Sequence, residues 1–107
     1  VRIPASFCGV FGFKPSNGLV PAWPQGVFTS MSSVGVMARD VRDIAVVMDE
    51  ITKPDTRDGT ALNLPPFHFA KNIHHQPRPL KIAVAWQVND IRAMRDVEKV
   101  LSGRLPD

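Results

Sequence analysis

One segment of the chain alternates hydrophobic and polar residues with the period of an α-helix. Its apolar residues recur every three or four positions, which places them on one face of a helix. They are Val41, Ile44, Ala45, Val47, Met48 and Ile51. Asp40 precedes them as an N-cap, Asp43 follows three residues later as in a capping box, and Pro54 ends the pattern. The pattern predicts a helix over residues 41–52 with one buried stripe.

Shorter apolar runs predict strands on both sides of this helix. Val10–Phe13 and Val34–Ala38 are typical of short strands, the first of them buried, and Leu80–Trp86 alternates as a further buried strand does. Asp96–Leu105 begins a second helix. The order predicts an α/β fold, a partial mixed sheet with flanking helices. Because the strands are too few to cover one another's faces, we expect apolar surface to stay exposed and the isolated chain to fold poorly.

Two segments lack sustained periodicity and are predicted to be loops. Residues 19–33 follow the turn signal Ser16-Asn17-Gly18, and Trp23 and Phe28 are predicted to anchor this loop on a neighbouring surface. Residues 53–79 form a longer connection, which is unusual within a self-sufficient small domain. We therefore interpret residues 1–107 as one partial domain, without a separate second domain.

Composition narrows the class of protein. The 107 residues are 44% hydrophobic and 21% charged, as in a globular protein rather than a disordered one. A net charge of +3 from scattered basic residues argues against a nucleic-acid surface, and no apolar run reaches the ~18–20 residues of a membrane span. The single cysteine excludes an internal disulfide and favours a reducing, cytoplasmic location. The oligomeric state stays open.

Cysteine and histidine give no defined reactive site by themselves. Cys8 would need a neighbouring base to act as a nucleophile, and its apolar neighbours predict a buried structural thiol instead. His68, His74 and His75 do not have the spacing of a zinc site, so we predict a solvated loop and no metal.

Serine and glycine motifs are also incomplete. Ser30, Ser32 and Ser33 lack the flanking glycines of a nucleophile elbow. Gly9 and Gly12 lack the spacing of a phosphate-binding or dinucleotide-binding loop. Nucleotide binding is therefore disfavoured, and the residues considered alone give no complete catalytic constellation.

The first sixteen residues, VRIPASFCGVFGFKPS, form the most specific motif in the chain. They resemble the segment after the nucleophile in the amidase signature family, which reads Gly-Gly-Ser-(Ile/Val)-Arg-(Ile/Phe)-Pro-Ala-x-Phe-Cys-Gly-Val-x-Gly-(Leu/Phe)-Lys-Pro-(Thr/Ser). Residues 33–45 and 53–58 are similar to two later stretches of the same family. The resemblance spans about residues 1–86 and implies a fragment of the amidase signature fold.

This resemblance implies hydrolysis of carbon–nitrogen amide bonds in small-molecule substrates by a Ser-Ser-Lys triad, without metal or organic cofactor. The nucleophile serine is then expected immediately before Val1, with the second serine and the lysine farther upstream, so the chain alone is expected to be inactive. Arg2 matches the arginine that holds the nucleophile loop through an acidic partner. The remaining supporting positions implied by the resemblance are Cys8, Gly9, Gly12, Lys14 and Pro15.

Two alternatives remain beside the general amidase interpretation. The amidotransferase A subunit that acts on glutamyl-tRNA shares the signature, but it typically has an Arg-Val-Ser-Arg-Tyr-Gly run where this chain reads LVPAWP at Leu19–Pro24. A non-catalytic module derived from a truncated amidase gene is the second alternative. Trp23, Phe28 and Met31 are candidates either to line an acyl pocket or to anchor their own loop, and the latter is the favoured interpretation.

Overall fold

A computed structural model describes residues 1–28, 31–75, 81 and 83–104. The chain divides into two compact units, Val1–Gln76 and Pro77–Asp107. The first unit contains α1 (Arg2–Cys8), β1 (Phe11–Phe13), β2 (Val36–Ala38), α2 (Val41–Ile51) and α3 (Phe69–Asn72). The second contains β3 (Gln87–Val88), β4 (Ile91–Arg92) and α4 (Arg95–Ser102). The predicted mixture of helices and strands is confirmed.

Each unit has one antiparallel pair of strands among its described residues. In the first unit, β1 pairs with β2 so that Phe11 lies opposite Ala38 and Phe13 opposite Val36. In the second, β3 and β4 form a short hairpin. Asn89 lies in the turn of this hairpin and has a positive φ of 52°. Asparagine adopts this left-handed conformation more readily than most residues.

Helix α2 confirms the prediction from hydrophobic periodicity, with its end one residue earlier than expected. Asp40 has an extended backbone, and its Oδ1 accepts a hydrogen bond from the Arg42 amide at 2.7 Å, as an N-cap does. The predicted stripe is buried at Ile44, Ala45 and Met48, and Met48 is completely inaccessible to solvent. Together with Val20, Ile44 and Met48 form the core of the first unit.

Helix α1 occupies a segment for which the sequence pattern predicted no helix or strand. Pro4 lies in the first turn, where an amide hydrogen has no intrahelical acceptor, so proline is tolerated there. Gly9 ends the helix in the left-handed conformation, with φ 62°, and the Val10 amide donates to the Ala5 carbonyl at 3.1 Å. An early proline and a following glycine were therefore the available signals.

Several other expectations were wrong. Lys81 and residues 83–86 are not in a strand, while Leu80 and Ile82 lie outside the described residues. A short helix, α3, interrupts the predicted loop over residues 53–79. Helix α4 begins one residue before its predicted start and ends at Ser102, and Leu105 lies outside the described residues. Each difference depends on contacts or turns that hydrophobic periodicity does not encode.

Exposure of large apolar side chains corrects two further expectations. Strand β1 is not buried, since Phe11 is 55% exposed and Phe13 39% exposed. Trp23 and Phe28 are exposed as well and do not anchor their loop. The expectation that apolar faces would remain uncovered is confirmed at these positions. Strand β1 still has a fixed place, because α1 and β2 pack on it.

Candidate functional site

The side chain of the first residue contacts two glycines. A Cβ atom on Gly12, in the middle of β1, would lie only 3.0 Å from Cγ1 of Val1 and 2.7 Å from Cβ of Ala5. A Cβ atom on Gly35, just before β2, would lie 2.7 Å from Cγ2 of Val1 and would overlap the carbonyl oxygen of Phe13. We call Val1, Gly12 and Gly35 the glycine seat. It fixes the start of α1 against both strands.

The other residues expected to support a nucleophile loop lie around this seat. Gly9 has the positive φ that glycine adopts readily, and a Cβ there would have no neighbour within 4 Å, so its role is conformational. Arg2 is exposed, and within the described residues its guanidinium makes no ion pair. The predicted burial of Cys8 is wrong. Helix α1 buries only Ala5, and Cys8 at its last position remains exposed.

Lys14 connects the end of β1 to the segment that leads into β2. Its Nζ donates to the Pro15 carbonyl at 2.6 Å and lies 3.4 Å from Oγ of Ser33. A lysine must be desolvated to serve as a neutral base, and Lys14 is exposed. This lysine–serine contact is therefore a structural connection rather than a nucleophile with its base.

Asp58 organises a polar cluster that sequence reasoning missed. The side chain is buried, and its carboxylate accepts from the Ala22 amide at 2.9 Å, the Gln25 side-chain amide at 2.6 Å and the Thr60 hydroxyl at 2.6 Å. The Thr60 amide donates to it as well, at 2.8 Å. We call these four residues the Asp58 cluster. The Asp-Gly-Thr run, a strong turn signal, was the available sequence clue.

Hydrogen bonding lowers the pKa of two carboxyl groups in this part of the chain. The Thr60 hydroxyl, followed by the amides of Ala22 and Thr60, holds the pKa of Asp58 well below its ordinary value, and burial only partly opposes this. At Asp55, the side chain of Arg57 lowers the pKa to about 2. Both groups are acceptors in fixed networks, so neither has the raised pKa of a general acid.

Helix α3 is held against α2 by a carboxylate and by aromatic packing. Asp49 accepts from the amides of Phe69 and Ala70, at 2.6 and 3.2 Å. The Phe69 ring packs edge-on against Phe67 and Phe13, with centroids 4.8 and 6.4 Å away. An open cleft of about 240 Å³ lies beside α2, and its lining is almost entirely apolar. The cleft therefore contains no group suited to nucleophilic or acid–base chemistry.

The described residues contain neither a cluster of metal ligands nor a helix able to span a membrane. In residues 1–28, 31–75, 81 and 83–104, no three His, Cys, Asp or Glu side chains converge as a metal site would need. His68, His74 and His75 are exposed. None of the helices in this described part is long and apolar enough to cross a bilayer.

Comparison with known proteins settles the family. The family model described as Amidase matches residues 1–104, across both units. The chain belongs to the amidase family. The resemblance noted in VRIPASFCGVFGFKPS is thereby confirmed, and with it the assignment of the chain to an α/β amidase fold. No solved structure gives a significant match.

Several relatives of this amidase-family chain carry a more specific name, that of the glutamyl-tRNA(Gln) amidotransferase A subunit. The Thermus thermophilus protein is 42% identical over 85 residues, which cover 78% of this chain and 18% of the relative. The Methanosarcina mazei protein is 38% identical over 102 residues, covering 94% and 21%. The Synechococcus protein of strain CC9902 is 36% identical over 95 residues, covering 88% and 19%. The chain spans about a fifth of the length of these relatives.

Proposed function

We propose that the whole protein hydrolyses carbon–nitrogen bonds of small-molecule amides through a Ser-Ser-Lys triad, and that residues 1–75 support its nucleophile. The observation that carries this proposal is the fold of the amidase motif. VRIPASFCGVFGFKPS forms α1, a left-handed glycine turn and β1, and these elements hold Val1 in the glycine seat. The proposed nucleophile is the serine immediately before Val1, and the proposed location is cytoplasmic.

The supporting residues have distinct proposed roles. Arg2 follows the nucleophile by two positions, and its exposed guanidinium is available to an acidic partner that would hold the loop. Gly9 turns the chain from α1 into β1, while Gly12 allows α1 to approach β1 closely. Lys14 ties the end of β1 to Ser33. Cys8, an exposed thiol without a neighbouring base in α1, has no proposed chemical step.

The chemistry needs an activated serine and a stabilised oxyanion. A serine hydroxyl becomes nucleophilic when a base accepts its proton, and a desolvated neutral lysine is such a base. Backbone amides of a glycine-rich loop can stabilise the tetrahedral oxyanion, provided that the loop is held in a fixed position. The glycine seat supplies a rigid floor for that loop, which is the contribution of this part of the chain.

A specific observation favours a second function, that of a glutamyl-tRNA(Gln) amidotransferase A subunit. All three relatives described above carry this name. The segment Leu19–Pro24 differs from the run typical of that group, which favours a general amidase. The two functions are separable by substrate. A general amidase releases ammonia or amine from simple amides into solution, whereas an amidotransferase transfers the amide nitrogen of a donor such as glutamine to the side-chain carboxyl group of glutamyl-tRNA.

The test begins with the gene upstream of the codon for Val1. A Gly-Gly-Ser sequence there is expected, and the gene product that includes it should hydrolyse glutamine or simple aryl amides and react with a fluorophosphonate at that serine. Serine-to-alanine replacement should lower turnover by about 10³-fold or more. An upstream sequence without this serine would support a non-catalytic module instead.

The 107-residue chain is the matched control for this experiment. It lacks the proposed nucleophile, so it should show no amide hydrolysis and no fluorophosphonate labelling. Turnover by the purified chain that a covalent serine reagent abolishes would contradict the proposal. Synthesis of glutaminyl-tRNA by the longer product, with slow hydrolysis of simple amides, would favour the amidotransferase.

A further inference from the structure

We propose that Gly35 is a positioning residue for catalysis, because it contacts one γ-methyl of Val1 while Gly12 contacts the other. The inference rests on the proposed function, since it concerns the residue that precedes Val1. Gly35 lies outside the opening motif, 34 positions after Val1 in the sequence. Its contact with Val1 is therefore a property of the fold.

The contacts leave little freedom to the first side chain. Each γ-methyl of Val1 faces one glycine: Cγ1 faces Gly12, and Cγ2 faces Gly35. The Val1 carbonyl also accepts the Ala5 amide at 2.9 Å, in the first turn of α1. Val1 is thus fixed by its two methyl groups and by its carbonyl, and a single peptide bond separates it from the preceding residue.

Gly35 cannot be replaced by a larger residue without a displacement. Its backbone does not need positive φ, so the requirement for glycine is one of space. An added methyl would overlap the Phe13 carbonyl oxygen and would lie 2.7 Å from the Val1 methyl and 3.4 Å from Cδ of Pro15. The Phe13–Val36 pairing in the sheet resists separation of the strands. The added methyl group therefore displaces both the Phe13 backbone and the Val1 side chain, and Val1→Ala tests the Val1 contact separately.

A small displacement of Val1 has a large expected effect on the reaction. Consecutive Cα atoms are about 3.8 Å apart, so a shift of Val1 moves the preceding serine by a similar amount. Misplacing a reacting group by about 1 Å can cost about 10²-fold in rate. Substrate binding by distant parts of the protein should change much less. The expected signature is a loss in kcat with KM nearly constant.

The experiment uses the longer gene product, with its upstream serine, and four variants. Gly35→Ala and Val1→Ala should each lower kcat for amide hydrolysis by about 10- to 100-fold, and lower the rate of fluorophosphonate labelling in parallel. Val1→Thr retains both γ positions and should recover most of the rate lost in Val1→Ala. Gly59→Ala is the control, because a Cβ on Gly59 would have no neighbour within 4 Å, and its kcat should stay within about 2-fold.

The outcomes separate this inference from the proposed function. A wild-type product that neither hydrolyses amides nor reacts with the fluorophosphonate would overturn both. An active wild type, with Val1→Ala and Gly35→Ala unchanged in kcat, would overturn only the positioning role. If the variants have a lower Tm but an unchanged kcat, measured below that Tm, the role of Gly35 is purely structural. This result would also overturn the positioning role. If Gly35→Ala does not fold, the kcat values of Val1→Ala and Val1→Thr test the positioning role instead.

Discussion

Helices α2 and α4 have similar apolar patterns but very different surroundings. In α2 the stripe includes Ile44, Ala45 and Met48, all buried. In α4 the residues Val97, Val100 and Leu101 have the same three- and four-residue spacing, yet they are 43, 64 and 47% exposed. Helix α4 buries none of its described side chains. An amphipathic pattern therefore predicted both helices, but it did not predict which of them would have a core.

The difference follows from what each unit offers as a packing partner. Helix α2 packs on β2 and on α3, and Val20 completes its apolar contact. Among its described residues, the second unit offers α4 only the short β3–β4 hairpin as a regular element, and none of the described residues from 81 to 104 is buried. Because a helix of eight residues is marginal without tertiary contacts, stability should be concentrated in the first unit.

The largest expected effect comes from removing the centre of the α2 core. Met48→Ala should lower the free energy of opening of α2 by about 2 kcal/mol or more, because the buried side chain leaves a cavity. Native-state amide hydrogen exchange of the longer gene product measures this local opening. The matched change Val100→Ala in α4 should stay within about 0.5 kcal/mol, because Val100 is exposed. Equal effects of the two changes would remove the distinction between the helices.

The Asp58 cluster should make the loop that contains Trp23 sensitive to acid. The folded pKa of Asp58 lies below its ordinary value of 3.8, so the unfolded state binds protons more readily as the pH falls. The stabilisation is present above about pH 4 and decreases progressively at lower pH. Trp23 fluorescence in a Trp86→Phe background measures it, since Trp23 lies between Ala22 and Gln25 and the chain has two tryptophans.

Asp58→Asn is the variant that tests this explanation. An amide at position 58 can accept with one oxygen only and presents its own N–H groups to existing donors, so the loop should loosen at neutral pH. Most of the acid sensitivity should disappear. The remaining acid sensitivity is assigned to Asp55, because Arg57 lowers the pKa of that carboxyl group as well. Asp55→Asn is the comparison variant, and it should remove only this smaller part. An unchanged acid response in Asp58→Asn would contradict this assignment.

A smaller effect should follow from loss of the carboxylate that caps α3. Asp49→Ala should destabilise α3 by about 1 kcal/mol, because the Phe69 and Ala70 amides lose their acceptor. Amide exchange over Phe69–Asn72 measures this change. Glu50→Ala, one residue along α2, removes only an exposed pair with Lys53 and should change the same protection by less than about 0.5 kcal/mol. Similar losses in both variants would refute a specific cap.

The smallest effect is expected in the second unit. Glu98→Gln removes a partly exposed ion pair with Arg92, whose Nη2 lies 3.0 Å from Oε1 of Glu98. Such pairs contribute about 0–1 kcal/mol, so far-UV circular dichroism of α4 should hardly change. A large loss of helicity would show that this pair, rather than apolar packing, maintains the second unit.

Local patterns predicted the elements that depend on neighbouring residues. The α2 helix followed from its apolar spacing and from Asp40, whose capping bond spans only two residues. Helix α1 was missed because its seven residues are too few for a clear period, although Pro4 and Gly9 mark its limits. The structure of the opening motif was thus less predictable than its family.

Contacts between distant residues could not be predicted in the same way. Asp58 and Gly35 owe their environments to segments 20 to 40 positions away, and neither lies in an element with regular periodicity. Cys8 illustrates the converse error: apolar neighbours in sequence indicated burial, but in the structure no described element covers it. Burial depends on neighbours in space, whereas composition reports only neighbours along the chain.

The Asp58 cluster also has a consequence for how this chain can vary in evolution. One carboxylate accepts from Ala22, 36 residues earlier, and from Gln25, 33 residues earlier. The segment between Gln25 and Asp58, which includes β2 and α2, therefore has both of its ends joined at a single side chain. Substitutions at exposed positions of this segment, such as Val27 and Phe28, should leave that closure intact. Sequence divergence should accumulate at the exposed positions of this segment, while the residues that close it and those of its core remain constrained.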